Sequence, residues 1–355
     1  MSDKTQLHLA ELMGSKICHD LVNSVGSLSN GIELLSEMKG AVDKEALDFI
    51  ARSANLTLAR LKFFRLAFGL NTNKTNTNWD QFYHTIESYG LEYGTNITAG
   101  VTPGKAGQKF DDKIPIYDSV KDAVNATGAK ISIVFVPAKF FLNAAKDALE
   151  SGIKLLVAIP EHVPIRDAME VIELTKQKNA IMIGPNTPGV IVPGLIKVGI
   201  MPAGPFSPGK IAVLSKSGTL LYEISNNLTS AGFGQNITIG IGGDPVNGTR
   251  MIDAFDMIKD DPELEGMVVV GEIGGEAEEV LAQHIIDIGF KKPVVGYIAG
   301  RQAPKEKRMG HAGAIVMGTY GSAESKISMF TKANIPVAKR PGEVAVLLAG
   351  KMNSQ

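Results

Sequence analysis

Three short segments of this 355-residue chain carry residue types that could together move a phosphoryl group. The first contains His311, which lies among small residues in a loop that follows three cations, Lys305, Lys307 and Arg308. A neutral imidazole is a competent nucleophile toward phosphorus, and nearby cations attract an anionic substrate. The alternative interpretation is a loop histidine without a chemical role. The composition of the loop favours His311 as a phosphoryl carrier.

The other two segments end apolar runs with groups that suit an anion or an imidazole. In SKSGTLLYE, Ser215, Ser217 and Gly218 close a strand pattern and open a helix pattern, and helix N-termini attract anions. In GEIGGEAEE, Glu272 ends a strongly apolar run, where a carboxylate is costly unless it has a partner. It could orient a histidine by accepting its ring N–H. Ordinary serine capping and a hydrated carboxylate are the alternatives.

The elements that must position these segments are strands and helices in alternation. From about residue 94 onward, short β-branched runs alternate with helical patterns, which predicts parallel strands joined by right-handed crossovers. Open α/β sheets bind ligands at the carboxyl ends of their strands, where the three segments fall. The Pro- and Gly-rich run 192–209 predicts a boundary between two α/β domains. The predicted strands are 131–137, 154–160, 180–185, 210–215, 237–243, 266–275, 292–300 and 335–340.

Charged residues near the third segment and the N-terminal part of the chain have simpler interpretations. Glu276, Glu278 and Glu279 are expected to favour the first turn of a helix through its dipole. Residues 1–70 carry apolar residues at spacings of three and four, which predicts an α-helical hairpin. The Asn- and Thr-rich stretch that follows, counted as 71–91, is expected to be a linker.

Composition and charge exclude several classes of protein. The net charge of -1 gives no global field that would attract nucleic acid or an anionic membrane. No apolar run reaches the roughly 20 residues that span a bilayer, and the first residues resemble neither a secretory signal nor a transit peptide. Cys18 is the only cysteine, so no internal disulfide can form. The expected location is the cytoplasm.

Long motifs identify a family resemblance over residues 92–350. VTPGKAGQ, IGPNTPGVI, SKSGTLLYE, GFGQNITIGIGGDPVNGT, GEIGGEAEE, KPVVGYIAG and KRMGHAGAIV resemble the α subunits of succinate–CoA ligases. The resemblance implies two doubly wound parallel-sheet domains. These are a Rossmann-like coenzyme A-binding domain over 92–200 and a flavodoxin-like ligase domain over 201–355.

The resemblance also implies roles for single residues. In that family the histidine that matches His311 is phosphorylated during turnover, and the glutamate that matches Glu272 holds it. Tyr222 matches a tyrosine of the substrate site, and Ser215 and Ser217 match the phosphate-binding helix start. Succinate and coenzyme A would be the substrates, and a β subunit would bind ATP or GTP with Mg²⁺.

Coenzyme A contacts are implied at two places in the first domain. Lys105 in VTPGK matches a lysine that contacts the cofactor, and the family contacts it again where Ile159, Pro160 and Glu161 stand. Two departures concern small groups, because the family usually has Thr or Ser at the position of Pro160 and Cys at that of Thr187.

A larger departure concerns the start of this domain. The family opens with a strand and a G-x-T-G-x-x-G turn that holds the coenzyme A phosphates, but the segment WDQFYHTIESYGLE contains one glycine. The domain is therefore expected to be truncated, to leave an unpaired edge or lack a central strand, and to bind coenzyme A weakly.

The N-terminal hairpin has a resemblance of its own. SKICHDLVNSVGSLSNGIELL and ARLKFFRLAFG are similar to the hairpin of alphaproteobacterial histidine phosphotransferases, with His19 beside Asp20 and Asn23. This resemblance implies an alternative function, a phosphorelay through His19, and would allow homodimerisation through the hairpin. A further alternative is that the chain joins fragments of two genes, since both halves are incomplete at their junction.

Overall fold

A computed structural model of the protein describes residues 97–301, His311, Ala314, Val316 and 321–354. The chain divides into two compact units, 1–88 and 89–355, and all the described residues belong to the second. The predicted hairpin over 1–70, the linker over 71–91 and His19 therefore lie outside the described residues.

The first α/β region contains two three-stranded sheets within the described residues. One is formed by β1 (Gly100–Val101), β2 (Lys109–Phe110) and β3 (Ile114–Tyr117) in the order β1-β3-β2. The other is formed by β4 (Ile131–Val134), β5 (Leu155–Ala158) and β6 (Ile181–Ile183), which are parallel and in sequence order. The helices of this region are α1 (Val120–Thr127), α2 (Phe141–Glu150) and α3 (Ile165–Gln177).

The core of this region explains why its helices form where they do. Phe141, Ala145 and Leu149 recur at every fourth position of α2 and are buried against β5. Ser119 caps α1 by accepting a hydrogen bond from the backbone N–H of Asp122, and Gly128 ends it in the left-handed conformation. In the described residues the edge of β4 that faces away from β5 has no strand partner.

The second α/β region is built on one sheet of seven described strands. Its order is β13-β12-β11-β9-β10-β7-β8. The strands are β7 (Gly189–Val192), β8 (Ile196–Gly199), β9 (Pro208–Ser215), β10 (Gln235–Gly240), β11 (Gly266–Glu272), β12 (Val294–Ala299) and β13 (Val337–Ala338). The five strands from β9 onward are parallel in the order 2-1-3-4-5, which is the flavodoxin-like arrangement.

Helices cover both faces of this sheet because its strand residues alternate between two cores. Ala212 and Leu214 of β9 pack on one face with α5 and α6, whereas Ile211 and Val213 pack on the other with α4 and α8. All seven residues of β11 are buried, as expected for a central parallel strand. The helices are α4 (Gly218–Ser230), α5 (Met251–Ile258), α6 (Ala277–Asp287), α7 (Ala323–Lys332) and α8 (Val344–Met352).

The first part of the run 192–209, predicted as a domain boundary, belongs to a β-hairpin of the seven-stranded sheet. β7 pairs antiparallel with β10, and β8 pairs antiparallel with β7. Pro193 and Gly194 form the turn, where the N–H of Leu195 donates to the carbonyl of Val192. Residues 189–199 therefore pair with the ligase-type sheet, although the sequence placed them in the first domain. Pro and Gly mark tight turns as well as linkers, so composition alone did not separate the two.

The predicted fold class is confirmed. The mixed α/β architecture, the parallel strands and the doubly wound second sheet are all present. Each predicted strand overlaps an observed one, although β13 contains only Val337 and Ala338 of the predicted 335–340. Within the described part of the chain, no helix has both the length and the apolar character that a bilayer span requires.

Candidate active site at the edge of the second sheet

The candidate site lies at the carboxyl ends of β9 and β11, where the strand order reverses. β9 is the first strand of the parallel set and β11 the third, with β10 on the far side of β9. Chain crossovers leave these two strands toward opposite faces, which opens a crevice at their carboxyl ends. Ser215 ends β9 and Glu272 ends β11, so the predicted segments meet at this crevice.

The start of α4 supplies oriented N–H groups at the crevice. Ser217 is the N-cap, and its hydroxyl accepts a hydrogen bond from the N–H of Leu220 at 3.4 Å. Ser215 is fully buried, and its hydroxyl donates to the carbonyl of Ser217 at 2.8 Å. Ser217 therefore does cap the helix, and Ser215 holds the backbone of Ser217 in place, so the positive end of the helix dipole lies at this strand end. A Cβ on Gly218 would meet only Pro188 at 3.6 Å, so neighbouring atoms do not require glycine there.

Glu272 and His311 form the central pair of the site. Nδ1 of His311 lies 2.7 Å from Oε2 of Glu272, a charge-assisted hydrogen-bond distance. The histidine side chain is 27% exposed and the glutamate side chain 8%. When Nδ1–H donates to the carboxylate, the lone pair of a neutral imidazole is on Nε2. The sequence-based expectation that Glu272 orients a histidine by accepting its ring N–H agrees with this geometry.

The second carboxylate oxygen of Glu272 is in a different situation. Within the described residues, Oε1 is buried and has no hydrogen-bond partner. Nζ of Lys216 lies 4.0 Å from Oε1, and the lysine side chain is only 12% exposed. A buried carboxylate oxygen without a hydrogen bond is costly, so the fold alone does not account for this one.

Gly243 forms one wall against the imidazole of His311. A Cβ built on Gly243 would lie 2.5 Å from Cγ and 2.7 Å from Nδ1 of the ring. No real side chain accepts such distances, so the ring packs directly on the glycine backbone. Gly243 belongs to the loop after β10, which brings a third strand end to the site.

A buried ion cluster lies behind Glu272. Oε1 of Glu278 accepts the backbone N–H of Glu272 at 3.1 Å, and the ammonium of Lys326 pairs with Glu278 and Glu279. Lys326 and Glu278 are fully buried, and Nζ of Lys326 also donates to the carbonyl of Gly275 at 2.9 Å. Glu278 and Glu279 lie in the first turn of α6 as expected, whereas Glu276 is its N-cap residue. The main partner of Glu278 and Glu279 is Lys326, 48 and 47 residues away, which the helix dipole alone did not predict.

Other predicted site residues are spread over the molecule. Tyr222 lies on α4, and its ring meets Phe206 edge-on with centroids 6.4 Å apart. Lys105 lies in the turn after β1, where its backbone N–H donates to Asp118 at 3.0 Å. Ile159, Pro160 and Glu161 follow β5, which belongs to a different sheet.

Two further groups of predicted residues have separate outcomes. The three cations Lys305, Lys307 and Arg308 lie outside the described residues. Pro160 and Thr187, the two departures from the family pattern, are both buried. The hydroxyl of Thr187 donates to the carbonyl of Gly240 and accepts the N–H of Gly189.

Sequence reasoning missed three residues of the site. Lys216 stands between the two serines of SKSGTLLYE, and Gly243 ends the predicted strand 237–243, so both belong to motifs of the family resemblance. Their position at the carboxyl ends of β9 and β10 was the signal that could have identified them. Lys326 had no such signal, because a lysine in a helix usually faces solvent.

Comparisons with known proteins agree with this architecture. The CoA-ligase family matches residues 214–334, and the CoA binding domain family matches residues 68–162. The second match begins upstream of residue 92, where the sequence analysis began its first α/β domain. Both matches start after His19, so the phosphorelay hypothesis gains no support from them.

Two curated relatives and one solved structure are similar to most of the chain. Subunit alpha 2 of a succinate–CoA ligase (ADP-forming) from Archaeoglobus fulgidus is 47% identical over 77% of this chain and 93% of its own length. The corresponding alpha subunit of Aquifex aeolicus is 48% identical over 73% of this chain and 85% of its own. An ATP citrate lyase from Methanothrix soehngenii, solved with citrate and coenzyme A, shares the fold with a TM-score of 0.65 and 21% identity. That match covers 75% of this chain and about half, 51%, of the lyase chain.

Proposed function

This chain belongs to the family of succinate–CoA ligase α subunits, and from that premise we propose that His311 is the residue that carries the phosphoryl group. The chain is the ligase subunit that takes part in forming succinyl-CoA from succinate and coenzyme A. The 2.7 Å contact between Nδ1 of His311 and Oε2 of Glu272 is the observation that carries the proposal. It leaves Nε2 as the nitrogen that attacks phosphorus.

The proposed reaction has three steps, and in each of them one bond forms as another breaks. The lone pair of Nε2 forms a P–N bond to the γ-phosphorus of the nucleotide, while the P–O bond to the β-phosphate breaks. A succinate carboxylate oxygen then forms a P–O bond as the P–N bond breaks, which restores the imidazole. Finally, the sulfur of coenzyme A forms a bond to the acyl carbon while the bond from that carbon to the phosphate oxygen breaks. The inorganic phosphate that leaves takes up the thiol proton. Covalent catalysis divides one difficult coupling into these easier steps.

The residues around His311 have separate proposed roles. Glu272 holds the ring and stabilises the positive charge that the imidazole gains when Nε2 is phosphorylated. The start of α4 and Lys216 face the anion, because a helix N-terminus and an ammonium both stabilise phosphate. Tyr222, four residues after Gly218 on the same helix, is proposed to belong to the succinate site.

Coenzyme A binding is assigned to the first α/β region, which the CoA binding domain family matches. We assign its contacts to Lys105 and to Ile159, Pro160 and Glu161. No G-x-T-G-x-x-G turn precedes Tyr93, so weak binding remains the expectation for this chain.

A β subunit is the partner of an α subunit, and we assign the nucleotide and its Mg²⁺ to that subunit. The curated relatives are named ADP-forming, which favours ATP as the nucleotide. Location in the cytoplasm and homodimerisation through residues 1–70 stay predictions that rest on the sequence alone.

Replacement of the proposed carrier tests the function. The full chain and its His311→Asn variant are co-expressed with a family β subunit and incubated with γ-labelled ATP. The unchanged chain should form an acid-labile phosphoenzyme and the variant none, because an amide cannot act as the phosphoryl acceptor. His284→Asn is the matched control, since His284 also pairs with a carboxylate, that of Asp256 at 2.8 Å, and lies between α6 and α5, where its ring meets Phe255 edge-on.

The labelling pattern decides between the outcomes. Label that persists in His311→Asn and maps to residues 97–354 would contradict the assignment of the carrier. Loss of label in His284→Asn as well would mean that the loss is not specific to His311 and does not identify the carrier.

A further inference from the structure

The loop after β10 joins the two α/β regions beside His311. Residues 242–249 of this loop lie against residues 182–186, which form the end of β6 and the turn after it in the first region. The N–H of Gly248 donates to the carbonyl of Gly184 at 2.8 Å, and that of Gly243 donates to the carbonyl of Asn186 at 3.2 Å. The hydroxyl of Thr249 donates to the carbonyl of Met182 at 2.8 Å.

Asp244 occupies the centre of this contact. It is only 4% exposed, and its carboxylate accepts three N–H groups from the first region. Oδ1 accepts the side-chain amide of Asn186 at 3.2 Å and, at a longer 3.4 Å, the backbone N–H of His162. Oδ2 accepts the backbone N–H of Val163 at 3.2 Å. Because hydrogen bonds to a carboxylate are directional, three donors on one buried carboxylate fix its position relative to the segments that carry them.

Two of the donor residues have backbone conformations that need outside support. His162 has φ of 60° and Asn186 has φ of 57°, both in the left-handed region that a non-glycine side chain rarely adopts. Such conformations persist where the surroundings fix them, and they cluster at functional sites. Asp244 is one of the groups that fix them here, because it accepts the backbone N–H of His162 and the side-chain amide of Asn186 across the contact.

The position of Asp244 in the chain connects two sites. It directly follows Gly243, whose backbone forms the wall against the His311 ring. Its partners His162 and Val163 directly follow Ile159, Pro160 and Glu161, and the carbonyl of Pro160 accepts the N–H of Asn186 at 2.7 Å. One carboxylate therefore links the segments after β5 and β6 to the residue that follows the wall of the histidine site.

We propose that Asp244 is a positioning residue that sets the coenzyme A stretch 159–161 against the phosphohistidine site. This inference rests on the proposed function and extends it to the step in which the thiol must reach the acyl phosphate. Asp244 touches no substrate. Without its carboxylate, the backbone N–H groups of His162 and Val163 lose their acceptor, whereas the Gly243 loop keeps its own backbone hydrogen bonds to Asn186 and Gly184. Its loss should therefore weaken coenzyme A binding and leave phosphorylation of His311 nearly intact.

Asp244→Asn is the direct test. The amide keeps the shape but presents an NH₂ group to at least one of the three donors, so the segment that carries that donor loses its hydrogen bond and shifts, while the backbone bonds of Gly243 and Gly248 stay. The full chain with a family β subunit should show about tenfold weaker coenzyme A binding by calorimetry. Its rate of phosphoenzyme formation from ATP should stay within about threefold of the unchanged chain, and its kcat/KM for coenzyme A should fall at least tenfold.

Two companion variants keep the proposal testable if Asp244→Asn folds poorly. Asn186→Gly tolerates the positive φ and removes one donor, and it should weaken coenzyme A binding about threefold. Asp253→Asn is the control, because Asp253 is a carboxylate of the next helix, α5, and pairs with the exposed Arg250. It should change neither coenzyme A affinity nor phosphorylation.

The outcomes separate this inference from the function on which it rests. Coenzyme A affinity unchanged in Asp244→Asn and Asn186→Gly would overturn the positioning role. Equal losses of phosphorylation and coenzyme A binding would overturn it as well, because they would indicate a general structural residue. If the unchanged chain forms no phosphoenzyme, the proposed function fails, while the calorimetric comparison still decides whether Asp244 positions the coenzyme A stretch.

Discussion

Two buried glutamates near the end of β11 have opposite surroundings. Glu278 has both oxygens occupied, one by the backbone N–H of Glu272 and the other by the ammonium of Lys326. Glu272 has one oxygen on the ring of His311, and the other lacks a hydrogen bond within the described residues. The two carboxylates are six residues apart and similarly buried, so burial does not explain the difference.

The comparison separates a structural cluster from a chemical one. A fully paired buried carboxylate holds the backbone in place, and removing its partner leaves an uncompensated charge. A carboxylate with a spare oxygen beside a histidine can respond when the ring gains charge. We therefore expect substitutions around Glu278 to act on stability and substitutions around Glu272 to act on catalysis.

The largest effect on catalysis within this comparison is expected for Glu272→Gln. The amide cannot stabilise a charged imidazole as a carboxylate does, so phosphoenzyme formation should slow by about 10²–10⁴-fold. The free energy of unfolding should change by less than about 1 kcal/mol, since Oε1 makes no hydrogen bond to lose. Rapid-quench labelling and urea unfolding measure the two quantities. A rate within threefold of the unchanged chain would remove Glu272 from the catalytic group.

Lys326→Met should have the largest effect on stability. It leaves Glu278 and Glu279 without their buried cation, which should lower the free energy of unfolding by about 3–5 kcal/mol. Urea unfolding monitored by circular dichroism measures this change. Lys210→Met is the matched control, because Lys210 forms an exposed pair with Glu265, and its unfolding midpoint should not move. A stable Lys326→Met protein with lost activity would reverse the roles assigned to the two clusters.

Gly243→Ala tests the backbone wall that packs against the His311 ring. The added methyl would lie 2.5 Å from Cγ of His311, so the ring must move away from its hydrogen bond with Glu272. A displaced nucleophile should slow phosphoenzyme formation by about 10- to 100-fold. Gly204→Ala serves as control, because a Cβ there meets nothing within 4 Å. Equal rates for the two variants would show that the wall at Gly243 does not position the ring.

The smallest effect is expected for a carboxylate that is neither buried nor catalytic. The hydrogen bond from Arg250 lowers the pKa of Asp253, and their partial exposure limits the gain. Because the folded-state pKa lies below the unfolded value, this stabilisation is present above the ordinary aspartate pKa and is lost as pH falls through the folded value. Asp253→Asn should therefore cost less than about 1 kcal/mol at neutral pH. The difference in free energy of unfolding between the two proteins should be smaller at pH 3 than at pH 7, which urea unfolding at both values measures. An equal difference at the two pH values would show that the ion pair of Asp253 and Arg250 does not stabilise the fold.

Much of the fold could be predicted from local patterns. The apolar runs that became β9, β11 and β12 are buried on both faces, and such runs predict central parallel strands wherever they occur. Ser215, Glu272 and His311 could be selected because each stands in a loop or strand end of unusual composition. The hairpin of β7 and β8 could not be assigned, since its turn residues also suit a linker and only the pairing with β10 decides the sheet.

The sequence by itself determined which residues can do chemistry and at which strand ends they stand, because residue type and apolar periodicity are local properties. Only the tertiary structure decided which of them meet. Glu272 and His311 are 39 residues apart, Glu278 and Lys326 are 48 apart, and Asp244 and Val163 are 81 apart. Contacts over such separations depend on strand order and on the docking of one region against another, which no local pattern encodes.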